Sequence, residues 1–157
     1  MDKSALITQI INELSIALEH ALAAADEAHK GATHEQSKAE TQYDTLGLEH
    51  AYLAEGQARR IQDLKDSITK LHHFTPKNYT QDDAIYLGAL VKLEPLDKPS
   101  MWVLLAPTAG GMSVQWQALN VQIISPNSPM MQAILGLYQD DEFKLANGLR
   151  YRICEVH

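Results

Sequence analysis

The sequence predicts an α+β protein, in which an antiparallel helical hairpin (a coiled coil) precedes a small antiparallel sheet domain with one short helix. Three observations predict this class: a helical seam of apolar residues at the start, a second helical pattern after a polar gap, and short apolar runs separated by turn residues from residue 84 onward. The predicted boundaries are 1–74 for the hairpin, 75–82 for a linker and 83–157 for the sheet domain.

The first helix is predicted from an apolar seam whose positions follow one another at spacings of four and three, which is typical of a helix packed along one partner. The seam consists of Ile7, Ile11, Leu14, Leu18, Ala21, Ala25, Ala28 and Ala32. Because the large side chains come first and the alanines follow, we expect a well-anchored base and a slender distal part that stays helical through high intrinsic propensity.

The return helix is predicted from about Asp44 to Leu71. It ends before Thr75-Pro76, because the residue before a proline is pushed out of the α region. Residues 33–44, between the two helices, are polar and carry acids. Each arm is roughly 40 Å long at about 1.5 Å per residue, more than a domain of this size needs for its own core. We therefore expect the hairpin to carry an acidic tip to a distant place.

Five strands are predicted, in residues 84–94, 100–106, 112–124, 141–145 and 149–156. Asn147-Gly148 is expected to form a type I′ hairpin turn, since both central residues of that turn need positive φ. A short helix is predicted between the third and fourth strands. Ser128 is a suitable N-cap for it, Pro129 suits the first helical position and Gly136 ends it.

Composition narrows the classes of function. The formal net charge is −7 and there is no basic stripe, which argues against direct, sequence-specific binding of nucleic acid. The lone Cys154 allows no intramolecular disulfide and no cysteine-based zinc site. No apolar run reaches the roughly 18–20 residues of a membrane span, and no signal-peptide pattern opens the chain. We expect a cytoplasmic monomer, with no membrane partner, no cofactor of its own and no catalytic residues of its own.

Several segments carry a recognisable pattern. In the C-terminal part they are Gly88–Leu93, Ile124–Pro129, Ala133–Gly136, Asp140–Phe143 and Tyr151–Val156, and in the hairpin they are Glu40 with Tyr43 and Gly56–Leu64. Together they resemble the bacterial Gre transcription elongation factors. The stretch Ser37–Arg60 is more similar to a short, divergent proteobacterial branch of that family than to its cleavage factors. The resemblance implies that the C-terminal domain has a fold like that of the FK506-binding proteins (FKBP-like).

The resemblance also implies a partner, RNA polymerase. Gre factors bind at the mouth of its secondary channel through the C-terminal domain and insert the hairpin toward the catalytic Mg²⁺. There the tip carboxylates help to hold a second Mg²⁺, which lowers the pKa of its bound water, and the polymerase itself cleaves backtracked RNA. The resemblance assigns Ser125, Asn127, Ser128 and Pro129 to the loop that contacts the polymerase.

The tip departs from the family's pattern. Cleavage-competent Gre factors carry an Asp and, three residues later, a Glu. If that Glu corresponds to Glu40, which would share the Mg²⁺, then Ser37 occupies the Asp position. A neutral hydroxyl is a poor substitute for a carboxylate on Mg²⁺. Glu35 and Asp44 are the other acids of the tip. Two functions therefore stay open: stimulation of RNA cleavage, and occupation of the channel as a competitor or inhibitor without cleavage.

Two further functions need features that a structure can reveal. A peptidyl-prolyl isomerase would need a concave pocket lined by aromatic residues, for which the chain offers Tyr138, Phe143, Tyr151 and two tryptophans. A plain coiled-coil interaction module would need an apolar stripe on the outer face of the hairpin.

Overall fold

The computed structural model describes residues 2–36 and 45–157, with the side chains of all of these except 32–36, 45–48 and 50. Within this part, the chain forms two compact units. One unit is Ile11–Thr69. The other combines the residues up to Ile10 with Lys70–His157. The predicted α+β class, with a helix pair followed by a sheet and one short helix, is confirmed.

The helical unit contains most of two long helices, α1 (Lys3–Gln36) and α2 (Thr45–His72). They lie side by side, because Ala25 and Ala28 of α1 line the same shallow groove of about 350 Å³ as Leu53 and Ile61 of α2. The large residues of the seam are better buried than the distal alanines: Leu14 is buried, whereas Ala28 is exposed. The large seam residues near the start of α1 are thus better packed than the alanines that follow, as the seam predicts.

The sheet has six strands in the order β3-β4-β2-β1-β6-β5. The strands are β1 (Leu90–Pro95), β2 (Met101–Leu105), β3 (Ser113–Trp116), β4 (Leu119–Ile124), β5 (Glu142–Lys144) and β6 (Arg150–Val156), and α3 (Pro129–Ile134) lies between β4 and β5. All neighbouring strands pair antiparallel except β2 and β4, which are parallel, with Trp102 opposite Val121. The predicted antiparallel sheet is therefore corrected at this one pair, because β3 lies at the edge and leaves β4 to pair with β2.

Three local predictions about the sheet were wrong. Residues 112–124 form a hairpin and not one strand, because the chain reverses at Gln117, whose φ is 55°. The first strand begins at Leu90, because a turn precedes it in which Gly88 has a φ of 95°. Asn147-Gly148 does form a hairpin, but only Gly148 has positive φ. The loop is therefore the three-residue type with a left-handed glycine and not type I′.

The two faces of the sheet are both buried. One face packs with α3 in a cluster of apolar side chains that includes Val91, Val103, Ile134 and Ile153. The opposite face carries the alternate residues Leu90, Trp102, Leu104, Val114, Trp116, Val121 and Ile123, which are also buried.

The first turns of α1 lie across that second face. Lys3 bonds to main-chain oxygens beside β1 and β6, and the Gln9 side chain donates to the Gln115 carbonyl of β3. On the same turns of the helix, Leu6 and Ile10 are fully buried. The start of α1 therefore belongs to the sheet unit.

Lys3 is a buried cation within this unit. Its side chain is only 3% exposed, and its ammonium donates to the carbonyl oxygens of Lys77, Gly88 (2.8 Å) and His157 (2.9 Å). It also lies 5.1 Å from the centroid of the Tyr79 ring. Burial lowers the pKa of Lys3 to about 8, while the three oxygens give the ammonium hydrogen-bond partners.

None of the helices in the described part of the chain has the length and apolar composition that a membrane span needs.

Candidate functional site

The loop that the sequence singled out, residues 125–129, joins β4 to α3 and is held by its own hydrogen bonds. The Ser128 amide donates to the Ser125 carbonyl at 2.8 Å, which closes a turn. The Ser128 side chain accepts from the Met131 amide at 3.0 Å, and Pro129 takes the first helical position. The predicted N-cap is confirmed. A loop fixed in this way presents its exposed side chains in one arrangement.

Gly110 lies against this loop, and its lack of a side chain is required there. A Cβ added to Gly110 would be 2.8 Å from the Ser125 Cβ and closer still to the Ser125 Oγ. Any other residue would displace either the loop or the turn between β2 and β3. The Gly110-Gly111 turn and the loop at residues 125–129 are therefore packed directly against each other.

The turn and the loop form two walls of a groove of about 600 Å³ on the sheet unit. It is lined by Gly110, Gly111, Gln122, Ile123, Ile124, Ser125, Asn127, Ser128, Pro129, Met130, Leu145, Ala146 and Asn147. We call it the loop groove. The four predicted contact residues, Ser125, Asn127, Ser128 and Pro129, all line it, so the structure brings them together at one site.

The loop groove carries no charge. Its lining residues include no Asp, Glu, Lys, Arg or His, and also no aromatic residue. Its walls are apolar where Ile124, Met130 and Leu145 contribute, and its rim is neutral and polar at Asn127 and Ser128. Such a site can bind an apolar side chain and hydrogen-bond to the groups around it, but it offers no proton donor or acceptor that titrates near neutral pH.

Several lining residues were not predicted. The sequence marks Gly110-Gly111 and Asn147-Gly148 as turns, but no spacing rule indicates that these turns face the loop at residues 125–129. Only the strand order, with β3-β4 at one edge of the sheet, determines where the Gly110-Gly111 turn lies. Met130 carried no signal beyond its position in a helix.

The predicted tip residues cannot be placed. Ser37, Glu40 and Asp44 lie outside the described residues, and so does the side chain of Glu35. The pairing of acids at the tip stays a prediction. Among the residues that the structure does describe, no group of three His, Cys, Asp or Glu side chains could hold a metal ion.

The aromatic residues that an isomerase pocket would need lie elsewhere. Phe143 and Tyr151 are buried in the core and stacked on each other, with ring centroids 5.2 Å apart. Trp102 and Trp116 are buried on the opposite face of the sheet. Tyr138 is exposed but does not line the loop groove. The loop groove therefore lacks the aromatic walls that a proline-binding pocket of this kind would require.

The helical unit exposes four large apolar side chains among its described residues: Ile16, Leu22, Tyr52 and Leu53. Ile16 and Leu22 are six positions apart on α1, and Tyr52 and Leu53 are adjacent on α2. Neither pair has the spacing of three, four or seven residues that forms a stripe on one helix face. The described residues thus provide no apolar outer stripe of the kind that a coiled-coil interaction module would need.

No protein family matches the chain, and no curated protein matches it. Among solved structures, GreA factor homolog 1 (Gfh1) of Thermus thermophilus is 23% identical, with a TM-score of 0.37 and coverage of 94% of each chain. A structure described as the transcription factor Gfh1 is 26% identical, with a TM-score of 0.40 and coverage of 94% of this chain and 92% of that one. Gfh1 of Thermus aquaticus is 22% identical, with a TM-score of 0.37 and coverage of 93% and 92%.

Proposed function

We propose that this protein is a Gre-like transcription factor that binds RNA polymerase at its secondary channel and modulates elongation. The sheet unit would bind the polymerase through the loop groove. The helical hairpin would carry the acidic tip at residues 33–44 into the channel, toward the catalytic Mg²⁺. On this proposal the protein contributes side chains to the polymerase's active site and performs no reaction alone.

One observation carries the proposal. The residues that resemble the polymerase-contacting loop of the Gre family, Ser125 to Pro129, form a wall of a groove of about 600 Å³ on the sheet unit. A preformed, largely apolar cleft next to a rigid loop is a suitable binding site for a protruding side chain of a protein partner.

The helices fit the second part of the proposal. With 34 residues, α1 is about 50 Å long at 1.5 Å per residue. Its distal seam positions are alanines, and the Ala28 side chain is exposed. Small side chains at the seam let the two helix axes approach each other, which suits an element that enters a channel.

A second candidate function is channel occupation without cleavage, and Ser37 favours it. The resemblance places Ser37 where cleavage factors have an Asp, and a hydroxyl neither carries the charge nor completes the oxygen shell that Mg²⁺ requires. Such a protein would compete with other channel-binding factors. Both candidates share the same docking step and differ only at the tip.

The docking step is tested with an exposed asparagine in the loop groove. Asn127→Lys places a cation on the rim of an uncharged site, and we expect at least about tenfold weaker binding to core RNA polymerase from the source organism. Asn120→Lys is the matched control, because Asn120 is also exposed but lies outside the loop groove. If the wild-type protein does not bind the polymerase, the proposed function is wrong. If both variants bind equally well, the loop groove is not the docking site.

The tip is tested with a stalled, backtracked elongation complex and Mg²⁺. Release of short 3′ RNA that is accelerated by the wild-type protein and abolished by Glu40→Ala would establish stimulation of cleavage. Binding of the wild-type protein to the complex without faster RNA release would support the second candidate function, occupation of the channel without cleavage. In that case Ser37→Asp restores the second carboxylate, and we expect it to introduce cleavage stimulation that Ser37→Asn, which is neutral and similar in size, does not introduce.

A further inference from the structure

A second surface of the sheet unit has the composition of a protein interface. Four large apolar side chains are exposed there on two short segments: Tyr86, Leu87, Leu135 and Tyr138. We call them the tyrosine patch. The two tyrosines are 56% and 48% exposed, respectively. Only two other large apolar side chains of the described sheet unit are exposed to a comparable degree, Leu96 and Leu149.

Main-chain hydrogen bonds join the two segments of the tyrosine patch. The Ile85 amide donates to the Leu137 carbonyl, and the Gly136 amide donates to the Ile85 carbonyl, both at 2.8 Å. The Tyr86 hydroxyl lies over Gly136, since a Cβ added there would be 3.9 Å from it. The two segments that carry the four exposed side chains are therefore adjacent.

The patch stands on a rigid base. The Leu87 carbonyl accepts from the Tyr79 hydroxyl at 2.9 Å, and the Ala89 amide closes a turn on the Tyr86 carbonyl. On the other segment, the Tyr138 amide donates to the Asp141 carboxylate at 2.8 Å. A partner would bind segments whose main chain is already ordered, which lowers the entropic cost of association.

The charges around the patch that have no ionic partner are acidic. Residues 78–91 and 99–143 contain no Lys, Arg or His, whereas the two segments contribute Asp82, Asp83, Asp140, Asp141 and Glu142. Asp83 is paired with Lys77, and Asp140 with Arg152. Within the described residues, Asp82, Asp141 and Glu142 have no basic side chain paired with them. Such a margin repels phosphate and attracts Lys and Arg.

We propose that the tyrosine patch binds an apolar, Lys- or Arg-bearing surface of RNA polymerase, as a contact additional to the loop groove. This inference rests on the proposed function. The two sites lie at opposite ends of one short helix: Ser128 and Pro129 begin α3 at the loop groove, and Leu135 ends it at the patch. At about 1.5 Å per residue they are roughly 10 Å apart along the helix, so one partner surface spans both.

The two contacts differ in their dependence on salt. The loop groove is uncharged, so its contribution changes little with ionic strength. The contribution of the patch includes attraction between its acids and a basic partner, which salt screens with a Debye length of about 10 Å at 0.1 M. If the partner surface is basic, raising the salt concentration should weaken binding of the wild-type protein. This salt-dependent part of the affinity should be lost when the acids of the patch are replaced by lysines.

The experiment measures binding of core RNA polymerase to the whole protein. We expect the double variant Tyr86→Ser/Tyr138→Ser to bind at least about tenfold more weakly, because exposed tyrosines at interfaces commonly contribute strongly. Leu96→Ser/Leu149→Ser is the matched control, since it removes two exposed apolar side chains elsewhere on the same unit, and we expect unchanged affinity. Asp82→Lys/Glu142→Lys should weaken binding at low salt and have little effect at high salt.

The outcomes separate the two proposals. Failure of the wild-type protein to bind the polymerase overturns the proposed function itself. Binding by the wild type that the tyrosine variant leaves unchanged overturns only the patch. A wild-type dimer in sedimentation equilibrium that the tyrosine variant dissociates also overturns it, because the occupant would then be a second copy of this chain. Urea unfolding of each variant confirms that the fold is retained.

Discussion

Replacing Lys3 with methionine should change how the stability of the protein depends on pH. Methionine keeps most of the apolar stem but removes the ammonium, which is buried and bonded to three main-chain oxygens. Burial lowers the pKa of Lys3 from 10.5 to about 8 in the folded protein. In the unfolded chain, the lysine regains the pKa of an exposed side chain.

The sign of the effect follows from the protons bound in each state. Between pH 8 and pH 10.5 the unfolded chain binds more protons than the folded protein, so the free energy of unfolding of the wild type rises with pH. The gain between pH 7 and pH 9.5 is about 2 kcal/mol, from a pKa of about 8 in the folded state and about 10.5 in the unfolded state. The Lys3→Met variant lacks this gain.

The measurement is urea unfolding of both proteins at several values between pH 7 and pH 9.5. This range ends below the titration of Tyr79, whose pKa is raised by burial. Lys92→Met is the control, because its hydrogen bond to Glu155 raises the pKa of Lys92, and the stability that it contributes is lost only at higher pH. The quantity to follow is the free energy of unfolding of the wild type minus that of Lys3→Met, which should rise with pH. A constant value would refute the reasoning. A value that falls with pH would mean that the carbonyl oxygens raise the pKa of Lys3 instead.

Three further predictions concern local packing. Gly110→Ala should lower the free energy of unfolding by about 1–3 kcal/mol, because the added Cβ meets Ser125. In a Ser125→Gly background this cost should be smaller. Equal costs in both backgrounds, measured by urea unfolding, would exclude the contact. Gly56→Ala should raise the free energy of unfolding by up to about 1 kcal/mol, because Gly56 lies inside α2 with open space around it, and a loss of stability would contradict that placement. Ser128→Ala should cost about 1 kcal/mol through the lost N-cap, whereas Ser128→Asp should retain it; an equal loss in both would argue against the cap.

The sequence determined those features that depend on a few neighbouring residues. The bounds of α2 agree with the prediction to within one residue, because helical periodicity and the proline after it are local signals. The start of α3 was predicted from Ser128 and Pro129, because an N-cap bonds to an amide only three residues away. The uncharged character of the loop at residues 125–129 can also be read directly from the chain.

Local patterns were ambiguous where one residue decides the path of the chain. Residues 112–124 have the composition of one long strand, yet the left-handed conformation of Gln117 makes them a hairpin. That conformation is uncommon for a residue with a side chain, so no propensity predicted it. The Asn147-Gly148 hairpin was found, but its turn type depends on the register of β5 and β6, which is set by pairing across the sheet.

Only the tertiary structure decided which distant segments share a site. The loop groove combines a glycine turn, a helix start and a hairpin loop, and the tyrosine patch combines two segments about fifty residues apart along the chain. Nothing in the sequence around Lys3 indicates burial, yet the fold buries it among three carbonyl oxygens of the sheet unit. The physical reason is the same in each case: periodicity and capping act over three or four residues, whereas these neighbours are set by strand order and packing, which depend on the whole chain.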